Sequence, residues 1–67
     1  MSIKERIEEK VEELREECAD QTVDELYGNA RNYHLWALGS KDNEEATEYE
    51  ITADAFRLLA REKERGK

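Results

Sequence analysis

Apolar side chains recur along the first part of the chain at Ile3, Ile7, Val11, Leu14 and Cys18, in steps of four, four, three and four. At about 100° per residue these positions share one narrow arc, which predicts a helix that meets its neighbours along a single seam. Ser2 followed by Glu5 has the spacing of a capping box, in which each side chain satisfies a backbone N–H of the other. Helix one is predicted over about 3–19. The pattern falters at residues 19–22, where Thr22 and Glu25 repeat the capping-box spacing, so a short break is expected there. A single continuous helix is the alternative, because neither Gly nor Pro interrupts the segment.

Helix two is predicted over about 23–38, ending at Gly39, a residue suited to the left-handed conformation that closes many helices. Its broad face carries Val23, Leu26, Tyr27, Ala30, Tyr33, His34, Ala37 and Leu38 and reads as a core stripe. The opposite side shows Gly28, Asn32, Leu35 and Trp36, flanked by Asn29 and Arg31, where a surface helix ordinarily shows Glu and Lys. Helix three is predicted over about 43–64, capped by Asp42 or Asn43, with acids gathered at its start and bases at its end as the helix dipole favours. Ala46, Tyr49, Ala53, Phe56 and Ala60 form one apolar sector, and Ile51, Ala55, Leu58 and Leu59 a second. More than one neighbour must therefore cover helix three.

These elements predict an all-α chain forming one domain over 1–67: a small three-helix bundle with an antiparallel hairpin of helices two and three, joined by a short loop. Helix one offers one seam while the other two offer two each, which is more apolar surface than three short helices hide from one another. A homodimer or higher oligomer resolves that excess, and two-fold symmetry is the commonest arrangement. At 67 residues a lone core is marginal in any case, which adds weight to self-association.

Composition narrows the functional classes. Eighteen acids against eleven Lys and Arg give a net charge of −7, which opposes direct binding to phosphate backbones. No apolar run approaches the eighteen or so residues of a membrane span, the N-terminal segment does not read as a signal sequence, and the single cysteine suits a reducing, cytoplasmic compartment. Within this acidic chain, residues 26–39 hold the only Trp, the only His, two of the three Tyr and no acid. Trp, Tyr and Arg dominate the energetics of protein contacts, and glycine admits a close backbone approach.

Gly28, Asn29, Arg31, Asn32, Leu35 and Trp36 are thus the candidate contact residues, with Tyr33 and His34 as secondary candidates. Two other uses of this constellation are open: a small-ligand or nucleotide pocket at a subunit boundary, with an aromatic ring stacking on the ligand and Arg31, Asn29, Asn32 or His34 meeting its polar groups, and a face packed against helix one within the monomer. A lone His without a second His or Cys at ligand spacing reads as a packing residue rather than a metal ligand. Cys18 on an apolar seam reads as a small inert hydrophobe.

Glu12, Glu13 and Glu16 match EExxE, and this run of five residues resembles half of the magnesium-binding pattern of all-α nucleoside triphosphate pyrophosphohydrolases. The resemblance implies helix-borne carboxylates holding a metal against a nucleotide. No downstream ExxD stands at a suitable distance, since Glu50 and Asp54 are four apart and Glu17 with Asp20 comes too early, and the three carboxylates lie opposite the apolar seam. No catalytic residue, metal ligand or cofactor is expected. The leading expectation is a regulator, adaptor or inhibitor module that associates with itself and with another protein, and acts by contact.

Overall fold

Three α-helices and no strand make up residues 2–66, the part of the chain described by a computed structural model: α1 (Ile3–Glu17), α2 (Val23–Gly39) and α3 (Asn43–Arg65). Both capping boxes are formed. The Ser2 hydroxyl accepts from the Glu5 N–H at 3.2 Å while the Ser2 N–H donates to Glu5 Oε1 at 3.0 Å, and Thr22 with Glu25 repeats the exchange at 3.2 and 2.8 Å. Those hydrogen bonds from Ser2 hold the Glu5 carboxyl below its ordinary pKa, the backbone donor contributing most. Asp42 caps α3 by accepting from the Glu44 N–H at 2.9 Å.

α1 ends at Cys18, whose N–H still bonds the Leu14 carbonyl, and the chain turns through residues 18–22 before Thr22 starts α2. The end of α2 departs from the sequence expectation. Gly39 is the last helical residue and no described glycine has a positive φ; the cap is Ser40, in an extended conformation with its N–H on the Ala37 carbonyl. Ser40 Oγ bonds Glu45 Oε1 at 2.9 Å, so its side chain fastens the loop to the first turn of α3. With the chain already leaving in an extended path, a left-handed residue is not needed.

α3 is the central element. At 23 residues and about 1.5 Å per residue it spans roughly 35 Å, close to the 39 Å long dimension of the molecule. Both shorter helices pack on it, and none of their described residues come within 8 Å of one another, Cα to Cα. The ion pairs Arg6–Glu48 and Arg15–Glu62 tie α1 to α3 and show that these two run in the same direction.

The core is a strip along α3. Val11, Leu14 and Cys18 enter from the α1 side and Leu26 and Ala30 from α2, meeting Ala55, Phe56, Leu59 and Ala60. Alanines at 53, 55 and 60 are fully buried, and such short side chains allow close helix approach. Leu26 is the largest fully buried side chain. Three positions assigned to apolar faces from the sequence are exposed instead: Ile3, Leu38 and Leu58. Ile3 lies in the first turn of α1, beyond the buried part of the seam, which starts at Val11. Leu58 lines the open groove between α1 and α3, beyond the covered part of that side.

Candidate functional site

α2 presents three different surfaces around its axis. Leu26, Ala30 and Ala37 are buried, and Tyr33 joins them, its ring stacked on Phe56 of α3 with centroids 5.6 Å apart and planes at 19°. Trp36 extends that cluster toward solvent: it meets Tyr33 edge-on at 5.0 Å and lies 6.1 Å from Tyr49 of α3. Edge and stacked contacts of this kind are favoured by the ring quadrupole. Trp36 is 54% exposed, so one part of the indole belongs to the fold and the remainder to the surface.

The second surface is a polar flank. Tyr27 Oη donates to Glu64 Oε1 at 2.9 Å, a bond that raises the phenol pKa, and His34 Nδ1 lies 3.0 Å from Glu50 Oε1. These contacts explain why Leu38 leaves the core stripe. It follows Tyr27 and His34 around the helix, and their partners on α3 are the carboxylates Glu50 and Glu64, so α3 offers polar groups on that side. Leu38 is accordingly 69% exposed.

The third surface faces away from α3. Gly28, Arg31, Asn32 and Leu35 are all exposed there, Leu35 at 51%. Arg31 and Asn32 make no side-chain hydrogen bond or ion pair among the described residues. Gly28 has an ordinary helical backbone, and a Cβ built on it meets nothing within 4 Å. A glycine in a helix interior costs roughly 0.5–1 kcal/mol relative to alanine. Nothing in the packing of this chain offsets that cost.

Six of the eight candidates named from the sequence therefore reach a common outer region: Gly28, Arg31, Asn32, Leu35, Trp36 and, at its edge, Asn29. Tyr33 and His34 turn toward α3. Leu38 belongs with the outer set and was missed, because periodicity alone places it beside the core stripe. Asn29 Nδ2 donates to Gln21 Oε1 at 2.8 Å, and His34 is engaged by Glu50, so two of the four polar groups a ligand pocket would use are already committed within the chain. The packing of this face against helix one is overturned: Gly28, Arg31, Asn32, Leu35 and Trp36 are exposed, and no described Cα of α1 comes within 8 Å of one in α2.

Elsewhere, a groove of about 690 Å³ opens between α1 and α3, lined by Glu5, Glu8, Glu9, Glu12, Val11, Arg15, Leu58 and Glu62. Glu12, Glu13 and Glu16 are exposed, and among the described residues no three His, Cys, Asp or Glu side chains converge as a metal-holding group. Cys18 is buried against the core, and that desolvation, aided by Glu17 and Asp20, pushes its thiol pKa up. No described helix is long and apolar enough to cross a membrane. No protein-family model, curated protein or solved structure matches the chain.

Proposed function

We propose that the protein is a small acidic contact module: it self-associates and binds protein through the outer face of α2, and it acts as a regulator, adaptor or inhibitor without turning over a substrate. Its single buried thiol suits a reducing, cytoplasmic setting. α2 and α3 form an antiparallel hairpin in this reading, supported by Tyr27 meeting Glu64 near one end while Trp36 lies against Tyr49 near the other.

The observation that carries the proposal is the exposure of Leu35, Trp36 and Leu38, 51%, 54% and 69%, on a helix whose residues 26–39 hold none of the chain's eighteen acids. Large apolar side chains left exposed along one helix, with an Arg and two amides among them, are what a protein interface collects. Sedimentation of the wild type, Leu35→Ala and Trp36→Ala at micromolar to millimolar concentration tests it. Concentration-dependent association of the wild type, weakened in both variants, is the expected result. A wild type that sediments as a monomer throughout would remove self-association from the proposal.

A further inference from the structure

The groove of about 690 Å³ between α1 and α3 is lined by these two helices alone. Its floor is apolar. Val11 is buried there, and beside it Leu58 is 44% exposed, the one large apolar side chain of α3 left in water among the described residues. The α1 wall carries Glu5, Glu8, Glu9 and Glu12, and Glu62 of α3 is already paired with Arg15 at 3.0 Å. Glu5 is engaged by the Ser2 cap, whereas Glu8, Glu9 and Glu12 make no hydrogen bond or ion pair among the described residues. Glu5 with Glu9 and Glu8 with Glu12 stand four apart, a spacing at which like charges destabilise a helix. An exposed leucine therefore lies beside a row of carboxylates that repel one another and have no counter-charge in the fold.

We propose that this groove receives a basic amphipathic helix of a partner protein, its apolar strip on Leu58 and Val11 and its Lys and Arg residues along the edge that meets the glutamates of α1. Charge complementarity selects the occupant, because an apolar floor walled by unpaired carboxylates is the converse of an apolar helix stripe flanked by cations. A second copy of this chain, at net charge −7, is repelled by the same wall, and so is a nucleic acid. Length agrees with a helix. Glu5 and Arg15 are ten residues apart, about 15 Å along α1, so a helix lying in the groove for nearly three turns can set an apolar residue on Leu58 and cations three or four residues away beside Glu8 and Glu12. Arg61 and Arg65 line a smaller groove of about 300 Å³ that also reaches Leu58, so cations are called for only on the partner edge that faces α1. The groove shares no residue with the outer face of α2, and failure of either surface leaves the other standing.

The probe is a labelled peptide of about 18 residues made of Leu, Lys and Ala, long enough for five helical turns, with Leu at helical spacing along one face. Fluorescence anisotropy at about 0.02 M salt compares it with a shuffled peptide of the same composition and with oligolysine. The amphipathic peptide is expected to bind in the micromolar range, about tenfold or more tighter than either control. Leu58→Ala, and the combined Glu8→Gln, Glu9→Gln and Glu12→Gln variant, should each weaken it by about fivefold or more, while Leu35→Ala leaves it unchanged. All these residues are exposed, and circular dichroism confirms that the variants keep their helices.

Equal binding of the shuffled peptide or of oligolysine would reduce the glutamates to a diffuse solvating charge and overturn the site. Full binding by Leu58→Ala, or loss of binding in Leu35→Ala instead, would place the peptide elsewhere and overturn it too. Absence of binding at low salt refutes it directly.

Discussion

Replacing Gly28 by alanine separates the fold from the contact, because the same Cβ has opposite effects on each. In the single chain the new methyl meets nothing within 4 Å, and the backbone is already helical, so no clash offsets the gain in helix propensity. The expected stabilisation is the full difference between the two residues in a helix interior, about 0.5–1 kcal/mol. For a domain of this size each kcal/mol moves the melting temperature by about 4–8 °C, so Gly28→Ala should melt about 2–8 °C higher than the wild type when both are dilute. In the proposed association through this face the methyl would occupy space that a partner approaches. Pairing stabilises the wild type by mass action as concentration rises, and the variant gains less.

The assay is a pair of melts followed by helix dichroism, one well below and one well above the dissociation constant found by sedimentation. The variant's advantage should be largest in the dilute sample and shrink or reverse in the concentrated one. No gain in the dilute melt would show that Gly28 is constrained within the monomer, contrary to the open space around it. An equal gain at both concentrations would show that nothing approaches Gly28 on association.

Leu26→Ala should remove about 2–5 kcal/mol, because Leu26 is fully buried where α2 meets the core, against a total of about 3–10 kcal/mol expected for a domain of this length. Urea titration should show it partly or wholly unfolded; a loss below about 1 kcal/mol would contradict its place at the centre of the packing. Cys18 should react slowly with a thiol reagent at about pH 8 in the native protein and rapidly in denaturant, since burial raises its folded pKa. The same shift has a pH consequence: its contribution is fully present below the unfolded thiol pKa of about 8.5 and is lost as pH rises through the raised folded value, so Cys18→Ala should flatten that part of the alkaline decline. Raising salt from about 0.01 M to about 1 M shortens the screening length from about 30 Å to about 3 Å and should tighten self-association of two chains at net charge −7; a weaker dimer at high salt would indicate that attractive ion pairs hold the interface.

Local rules exposed the elements well. Ser2 with Glu5 and Thr22 with Glu25 mark the starts of α1 and α2 by the reciprocal bonds they form, and the buried part of the α1 seam, Val11, Leu14 and Cys18, follows the four-and-three spacing. Which helix sits in the middle is a property of relative placement, and a helical wheel gives only the angle of a side chain about its own axis. The two apolar sectors of α3 called for more than one neighbour, yet nothing local to α1 or α2 states that both lie chiefly on α3. The same limit governs the site. Gly28, Asn32 and Leu35 were legible as an outer face because they lie opposite Leu26 and Ala30. Leu38 was misplaced because its burial depended on what α3 sets beneath it, namely the side that carries Glu50 and Glu64. Trp36 divides between the two, since Tyr49, the ring that half covers it, belongs to another helix.

Fold and contact are linked in this chain by its size and by where its charges lie. A domain of 67 residues buries only about 60% of the surface its unfolded chain exposes, and here much of the buried strip is alanine, with Leu26 the largest side chain fully hidden. Leu35, Leu38 and Trp36 hold apolar area that the monomer leaves in water, and covering it contributes about 25 cal/mol for each Å². Acids are absent from residues 26–39, and those elsewhere, including Asp24 and Glu25 in the first turn of α2, keep the remaining surface solvated. The proposed association through α2 would add stability that the three helices do not reach alone. On that proposal the stability of the fold should itself rise with concentration, and a wild type whose melting temperature is independent of concentration would refute it.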